Sequence, residues 1–264
     1  MIKTILITGL DGSGKSTLFS KIEAAQLEQV SLITLPHVDA ATLPDISPLK
    51  HPIQLLNTMS QEADENHWSD LKALALFCSM ILFEKLVSEK TTATTRYIIC
   101  ERHPLIDTFV YAQFYLPRLG AGGMKPEQIG YYNTKYKDLF SLVLEELPVE
   151  QKELGAFAIF TFIKTFFAGK VNPDVDTANL FHVSVPDHIF FLKAAPEILM
   201  DRIASRKVME PHEKLEVLSH FDRAYDALFT TVANDHPTTI EHIDATTFES
   251  LDAFQTRLLT EIIQ

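Results

Sequence analysis

The chain has 264 residues, of which 46% are hydrophobic, and its formal net charge at pH 7 is −12. This length and composition allow a substantial buried core, but the acidity argues against a nucleic acid as partner, because binding a phosphate backbone relies on a basic surface. The two cysteines, Cys78 and Cys100, lie far apart in apolar surroundings and are predicted to be reduced core residues.

The apolar runs of the sequence do not predict a membrane protein. The longest runs, near 71–86 and 156–168, are interrupted by Lys72, Glu84 and Lys164, so neither is expected to span a bilayer. The first predicted strand begins at Ile2, which leaves no room for a signal peptide. We therefore expect a cytoplasmic protein with no membrane partner.

A glycine-rich turn follows the first predicted strand and precedes the first predicted helix. It reads Gly9-Leu10-Asp11-Gly12-Ser13-Gly14-Lys15-Ser16-Thr17 and fits G-x-x-x-x-G-K-[ST], the pattern of a phosphate-binding loop. Backbone N–H groups in such a turn can surround a polyphosphate, because glycine lets the main chain approach the ligand closely. We expect Lys15 to reach the β- and γ-phosphates of a nucleotide and the Ser16 hydroxyl to bind Mg²⁺.

Beyond this turn, predicted strands alternate with predicted helices. The strands are expected at 30–35, 96–100, 188–192 and 239–243, and the helices at 69–90, 105–116, 196–206, 215–233 and 248–262. Repeated prolines make residues 36–52 a predicted irregular segment. Such alternation predicts an α/β fold with a parallel sheet of about five strands, flanked by helices on both faces. Residues 117–180, with predicted helices at 135–146 and 152–168, are interpreted as a helical insertion within a single domain of residues 1–264.

Three later stretches narrow the class of protein. They are Glu101-Arg102-His103-Pro104, the segment Leu199-Met200-Asp201-Arg202-Ile203-Ala204-Ser205-Arg206-Lys207, and Ile243-Asp244-Ala245-Thr246-Thr247. Together with the glycine turn, they resemble the thymidylate kinase and deoxynucleoside kinase group of P-loop kinases, which includes the thymidine kinases of herpesviruses. The second stretch is similar to the arginine-bearing lid of those kinases, here 202–214, and the third to the segment before their adenine-side loop. The sequence contains no N-K-x-D, which counts against a GTPase.

The resemblance implies a P-loop NTPase fold, ATP and Mg²⁺ as cofactors, and particular roles for several residues. It implies catalytic roles for Lys15, Glu101, Arg102, Arg202 and Arg206. Glu101 and Ser16 would hold the metal, and the two lid arginines would clamp the phosphates, since residues four apart share a helix face. The implied nucleotide-binding set is Gly9, Asp11, Gly12, Ser13, Gly14, Lys15, Ser16, Thr17, Asp244 and Ala245.

The acceptor site is also implied by the resemblance. Asp107 matches an aspartate that helps to hold the base in deoxynucleoside kinases, and Arg102 would bind the acceptor's 5′ oxygen or phosphate. Tyr111 and Met80 would pack against the two faces of a planar base. Met80 and Tyr111 fit equally well as core residues of amphipathic helices.

One departure from the family bears on the acceptor. Deoxynucleoside kinases carry a glutamate in a Glu-Pro pair after the second strand, which takes a proton from the 5′-hydroxyl, whereas this chain reads Leu35-Pro36-His37-Val38-Asp39. Either His37 or Asp39 replaces that base, or the acceptor is a monophosphate, which is already an anionic nucleophile. The arginine that thymidylate kinases carry beside this position is absent as well.

The expected function is therefore ATP-dependent phosphoryl transfer to a nucleoside 5′-monophosphate, in the manner of a thymidylate kinase. The alternatives are a thymidine or deoxynucleoside kinase, which would phosphorylate the 5′-hydroxyl, and a nucleotide-binding regulator without turnover. The expected partners are small-molecule nucleosides or nucleoside monophosphates, with a homodimer as one option for the assembly.

Overall fold

The structure is a computed structural model that describes residues 2–117, 125–148, 155–169, 176–204 and 214–263. The strands within these ranges are β1 Lys3–Gly9, β2 Val30–Ile33, β3 Tyr97–Cys100, β4 His188–Lys193 and β5 Thr239–Asp244. The helices there are α1 Lys15–Ala24, α2 Lys50–Asn66, α3 Ser69–Ile81, α4 Phe83–Lys90, α5 Pro104–Tyr115, α6 Pro126–Lys135, α7 Lys137–Glu146, α8 Ala156–Ala168, α9 Asp176–Phe181, α10 Pro196–Ala204, α11 Leu215–Asp235 and α12 Phe248–Arg257. A 3₁₀ turn, Ala40–Thr42, precedes α2, and a π-helical turn, Leu258–Ile262, follows α12.

The strands form one five-stranded sheet in the order β2-β3-β1-β4-β5, and every pairing between neighbours is parallel. The predicted α/β architecture is thereby confirmed. Parallel strands cannot be joined by tight hairpins, so the chain between consecutive strands runs through helices. All five carboxyl ends consequently lie along the same edge of the sheet.

Two adjacent phenylalanines of β4 show how both faces of the sheet are covered. The Phe190 ring lies 4.9 Å from that of Phe254 on α12, whereas the Phe191 ring lies 5.0 Å from that of Tyr225 and 5.2 Å from that of Phe229, both on α11. Successive side chains of a strand point to opposite faces. Helices α12 and α11 therefore cover opposite faces, and the apolar run at β4 is buried from both sides.

The chain divides into two compact units. The α/β unit comprises Met1–Ile33, Thr91–His103 and Val185–Gln264 and carries the whole sheet, and the helical unit comprises Thr34–Lys90 and Pro104–Ser184. The segment 117–180, expected as an insertion, falls within the helical unit, which also contains α2 to α5.

Helix α3 forms the centre of the helical unit. Every residue from Leu71 to Ile81 is buried, and the buried Lys72 donates to the Asp64 carboxylate. The Phe77 ring on α3 lies 6.0 Å from that of Phe162 on α8 and 6.0 Å from that of Phe181 on α9. The predicted helix 69–90 is interrupted only slightly at Leu82, whose N–H still donates to the Cys78 carbonyl over 3.1 Å.

Helix α2 was not expected from the sequence, because the prolines in the preceding segment pointed to irregular structure. Pro52 lies in its first turn, where a proline removes no helical hydrogen bond. The helix then buries Ile53, Leu56 and Met59 at helical spacing, and Asn57 Nδ2 donates to the Val38 carbonyl over 2.7 Å.

Candidate active site

The glycine turn lies between β1 and α1, as its pattern predicts, and it needs glycine for two separate reasons. Gly12 and Gly14 have φ angles of +81° and +96°, which side-chain-bearing residues rarely adopt. A Cβ on Gly12 would also lie 3.0 Å from the Leu199 carbonyl oxygen, and one on Gly14 would lie 2.7 Å from Leu251 Cδ1. The turn is therefore packed tightly within its own unit, and its backbone path is fixed.

Lys15 points into this turn. Its Nζ donates to the Gly9 carbonyl over 2.8 Å and to the Leu10 carbonyl over 3.0 Å, and it lies 3.9 Å from Asp11 Oδ1. The Lys15 side chain is only 6% exposed, so its charge is concentrated inside the turn. Main-chain acceptors thus hold the lysine that the sequence motif selected inside the turn.

The serines and the threonine of the turn fall into two groups. Ser13 is fully buried, and its Oγ has no hydrogen-bond partner among the described residues, although buried hydroxyls usually have one. Ser16 and Thr17, in the first turn of α1, are exposed. An unsatisfied hydroxyl inside the turn and an exposed one at the helix start are groups that a phosphate with its Mg²⁺ would satisfy.

Glu101 and Arg102 follow β3 at the sheet edge from which the glycine turn also leaves. Strand β3 pairs with β1 so that Cys100 lies beside Leu6, and the Glu101 N–H donates to the Ile33 carbonyl over 3.0 Å. Both side chains are half-buried. The strand order therefore brings this pair to the carboxyl edge next to the turn, where sequence reasoning expected it.

His103, the next residue, is buried, with 1% of its surface exposed. Burial lowers the pKa of its imidazole to about 3, so the ring is neutral at physiological pH. A neutral ring carries no charge to add to those of Glu101 and Arg102.

The Arg202 guanidinium joins the glycine turn to the loop after β5. Its Nη1 donates to the Gly12 carbonyl over 3.1 Å, and its Nη2 donates to the Thr246 carbonyl over 2.9 Å. It also lies 5.6 Å from the centre of the Phe248 ring, which is 67% exposed. Sequence reasoning selected Arg202 but not Phe248, which begins α12. The second lid arginine, Arg206, lies outside the described residues, as does most of the lid at 202–214.

Asp244 ends β5, and Ala245 begins that loop. Asp244 accepts hydrogen bonds from the Thr246 N–H at 2.9 Å, the Thr246 hydroxyl at 2.6 Å and the Ser250 hydroxyl at 3.1 Å. The bonds from Thr246 hold the pKa of the Asp244 carboxyl below its usual value. The Ala245 N–H donates to the Lys193 carbonyl over 2.8 Å. The predicted adenine-side segment is therefore a hydrogen-bonded loop that continues the sheet edge.

In the helical unit, three of the predicted acceptor residues line one pocket. Met80, Asp107 and Tyr111 lie on its wall. The other lining residues are Ala73, Leu76, Phe77, Thr108, Ala112, Tyr115, Leu116, Ile163 and Phe167. Such a pocket, mostly apolar and aromatic with few polar groups, is the usual form of a small-molecule site.

His37, the fourth expected acceptor residue of the helical unit, does not line this pocket. It is exposed, and its carbonyl accepts a hydrogen bond from the Thr34 hydroxyl at 2.9 Å. Asp39 is exposed as well, and its carboxylate caps the short 3₁₀ turn by accepting from the Ala41 N–H at 2.8 Å.

Two properties that bear on function are absent from the described part of the chain. Its helices include none with the length and hydropathy to cross a bilayer. Its His, Cys, Asp and Glu side chains include no group of three placed to hold a metal ion.

No protein family model and no curated protein matches the chain. Among solved structures, a thymidylate kinase from Candida albicans matches with a TM-score of 0.51 and 17% identity, over 99% of this chain and 91% of that one. A deoxyadenosine kinase from M. mycoides with bound dATP matches with a TM-score of 0.50 and 14% identity, over 98% and 100% of the two chains. A second structure of that enzyme, with the products dCMP and dCDP bound, gives 0.51 and 14%, over 97% and 99%. The chain therefore has the fold of the P-loop thymidylate and deoxynucleoside kinases, as its motifs predicted.

Proposed function

We propose that this protein transfers the γ-phosphoryl group of ATP to the 5′-monophosphate of a pyrimidine deoxynucleoside. The observation that carries the proposal is the placement of Lys15. Its ammonium lies inside the glycine turn, with Glu101 and Arg102 at the same edge of the sheet. The shared fold with a thymidylate kinase and a deoxyadenosine kinase supports the same class of reaction.

Phosphoryl transfer requires that the two reactants are positioned in line and that positive charge surrounds the transferred group. An oxygen of the acceptor phosphate attacks the γ-phosphorus, the bond from that phosphorus to the β,γ-bridging oxygen breaks, and the products are ADP and a nucleoside diphosphate. Negative charge spreads over the equatorial oxygens in the transition state, so cationic groups fixed beforehand lower the barrier. Lys15 supplies such a charge on the donor side, and Arg102 is proposed to orient the acceptor phosphate.

The residues of the turn fit a Mg²⁺–nucleotide. Such an ion would neutralise part of the negative charge on the phosphate oxygens. The exposed hydroxyl of Ser16 would ligate it, and Glu101 would hold it directly or through water. Mg²⁺ keeps several waters and uses few protein ligands, so this small donor set is sufficient.

The monophosphate is favoured as acceptor because of the residues that come after β2. A nucleoside hydroxyl gains from a general base within hydrogen-bond reach, whereas a phosphate is anionic already. Asp39, one of two candidates for that base, is exposed and accepts from the Ala41 N–H through Oδ1. The other candidate, His37, is exposed.

A deoxynucleoside kinase is the second candidate, and the pocket of the helical unit favours it. Asp107 is fully buried on the wall of that pocket, beside Tyr111 and Met80. The resemblance to deoxynucleoside kinases assigns this aspartate to the base. A site that holds the base firmly would act on a nucleoside without needing its phosphate for affinity.

The test is a transfer assay with purified protein, radiolabelled ATP and Mg²⁺ against a panel of nucleosides and their 5′-monophosphates. Product confined to the monophosphates supports the proposal. Product from nucleosides establishes the second candidate. Tight ATP binding without transfer to any acceptor would overturn both and leave a nucleotide-binding regulator.

A further inference from the structure

The carboxylate of Asp244 is engaged by the loop that follows it. Asp244 is the last residue of β5 and lies beside Lys193 at the end of β4, so the sheet fixes its position. Its Oδ1 accepts from the Thr246 N–H at 2.9 Å and from the Thr246 hydroxyl at 2.6 Å. Its Oδ2 accepts from the Ser250 hydroxyl at 3.1 Å. A carboxylate has about four acceptor positions, so the loop takes most of them.

These bonds orient Thr246, the residue of the loop that contacts Arg202. An aspartate that accepts from the N–H two residues later forms an Asx turn, which fixes the local backbone. The bond from the Thr246 hydroxyl ties the side chain of the same residue to the same oxygen. The Thr246 carbonyl accepts from Arg202 Nη2 at 2.9 Å. Because the turn sets the direction of this carbonyl, the contact with Arg202 depends on Asp244.

Arg202 extends this connection to the glycine turn. A guanidinium is planar and holds its donors in a rigid fork, and Nη1 of the same group donates to the Gly12 carbonyl over 3.1 Å. The peptide between Gly12 and Ser13 is trans and planar, so its carbonyl and its N–H point in opposite directions. The bond to the carbonyl therefore also fixes the Ser13 N–H, which donates to the Leu10 carbonyl over 3.2 Å. Arg202 thus holds the central peptide of the turn.

The charge of Asp244 also favours an indirect role. The hydrogen bonds from Thr246 hold the pKa of the Asp244 carboxyl below its usual value, so the group is ionised at neutral pH. Like charges repel, and a carboxylate placed directly against a phosphate chain would oppose its binding. Acting through Thr246 and Arg202, the same carboxylate can support phosphate binding without touching the ligand.

We infer that Asp244 is a positioning residue, which holds the glycine turn in its phosphate-binding conformation through Thr246 and Arg202. That the turn binds phosphate rests on the proposed function, whereas the connection from Asp244 to the turn rests on the hydrogen bonds. A residue with this role affects the binding of the phosphate chain of a nucleotide, whatever base the nucleotide carries.

The experiment measures binding by calorimetry, with Mg²⁺ and without an acceptor. The ligands are ATP and inorganic tripolyphosphate, which has the phosphate chain but neither sugar nor base. The proteins are wild type, Asp244→Ala, Arg202→Ala and the double variant. We expect Asp244→Ala to weaken binding of both ligands about fivefold, which is less than the effect of Arg202→Ala. In the double variant, the loss of Asp244 should add no further weakening, because the two residues act along one path.

Two further variants serve as controls. Asp244→Asn keeps an acceptor oxygen that can bind the N–H and the hydroxyl of Thr246, so its affinities should stay within about twofold of wild type. Asp252→Ala removes an exposed carboxylate of α12 that pairs with Lys21. It should change neither affinity, because exposed ion pairs contribute little. Melting temperatures are measured for every variant.

The outcomes separate this inference from the proposed kinase activity. Coupled weakening of both ligands supports it even if no phosphoryl transfer is detected, in which case the proposed function alone fails. Weakening of ATP alone assigns Asp244 to the sugar or base and overturns the inference even if wild type transfers phosphate normally. Additive weakening in the double variant overturns it as well, because the residues then act separately.

Two other results would also count against Asp244 as a positioning residue. A lowered melting temperature with unchanged affinities gives Asp244 a purely structural role and overturns the inference. Wild type that binds ATP but not tripolyphosphate overturns it too, since the phosphate chain then contributes too little. Wild type that binds neither ligand overturns the inference and the proposed function together.

Discussion

The Lys15 ammonium donates to the carbonyls of Gly9 and Leu10 and is almost fully buried in the turn. We expect Lys15→Ala to reduce the turnover number for phosphoryl transfer by at least about 100-fold, because it removes a fixed charge at the transferred group. Steady-state kinetics measure the turnover number, and circular dichroism checks that the fold is kept.

Lys21 provides the control for this substitution. It lies on the same helix, α1, but it is partly exposed and pairs with Asp252. Lys21→Ala should leave turnover unchanged within a factor of about 2, because exposed ion pairs contribute little. Unchanged turnover in Lys15→Ala would remove the turn from the mechanism.

Arg202 has a geometry that separates two possible roles. Its guanidinium donates to the carbonyls of Gly12 and Thr246, so it holds the turn against the loop after β5. We expect Arg202→Ala to raise the KM for ATP about tenfold and to change kcat less. The reason is that the substitution removes the contacts that hold the glycine turn against the loop after β5. Exposed Arg223 supplies the control, as Arg223→Ala should change neither constant. A larger fall in kcat than rise in KM would instead assign Arg202 to the transferred phosphate.

At the scale of elements, one carboxylate links α2 to the chain around α6. Glu62 accepts hydrogen bonds from Tyr131 at 2.6 Å, from Lys135 at 2.9 Å and from the hydroxyl of Tyr136. Burial would raise the pKa of Glu62, but these hydrogen bonds outweigh it and hold the pKa below its usual value. The ionised carboxylate is therefore the form that the fold stabilises.

We expect Glu62→Gln to lower the free energy of unfolding by about 1–3 kcal/mol at pH 7. A carboxyl whose folded pKa is depressed stabilises the protein above its unfolded pKa of about 4.3, and this contribution is lost as the pH falls through the folded value. The difference between wild type and variant should therefore shrink below about pH 4. Urea unfolding at a series of pH values measures it.

Glu65→Gln is the comparison on the same helix. Glu65 is exposed, and it accepts a hydrogen bond from Gln61 at 2.7 Å. This substitution should change the free energy of unfolding by no more than about 0.5 kcal/mol at any pH. A Glu62→Gln effect that is equally small, or independent of pH, would contradict the role assigned to the Glu62 carboxylate.

These elements show why part of the fold could be read from the sequence and part could not. The glycine turn and the buried run at β4 are local patterns, and the chain folds there as they predict. Helix α2 was missed because Pro52, which usually signals irregular structure, lies in a first turn that tolerates it. The contacts of Glu62 join residues more than sixty positions apart, and local periodicity carries no trace of such a pairing.

The residues of the candidate site were likewise predicted only in part from the sequence. Motifs selected Lys15, Glu101 and Arg102, and a spacing taken from the resemblance selected Asp107. The other residues that line the pocket carry no motif, and only the folded chain brings residues of α3, α5 and α8 to one wall.

At the scale of the whole molecule, neither unit is a continuous segment of chain. The chain passes between the units four times, after residues 33, 90, 103 and 184. When one unit folds, it brings together the ends of the chain segments that form the other unit. The other unit then loses less conformational entropy when it folds in turn. This connectivity predicts that the two units unfold in one cooperative transition.

Trp68 allows that prediction to be tested, because it is the single tryptophan of the chain and belongs to the helical unit. Its fluorescence and far-UV circular dichroism should give the same urea midpoint. ATP with Mg²⁺ at about 100 times its dissociation constant should raise both midpoints together, by the equivalent of about 2.7 kcal/mol. Two separate transitions, or a fluorescence midpoint that does not respond to the nucleotide, would show that the units unfold independently.

The discontinuity also has an evolutionary consequence. The helical segments enter the chain between β2 and β3 and again between β3 and β4, so they can gain, lose or exchange residues without altering the order or register of the strands. Descendants of such a protein can change the lining of the pocket in the helical unit while they inherit the glycine turn unchanged. A single gene can therefore vary the helical unit and conserve the α/β unit.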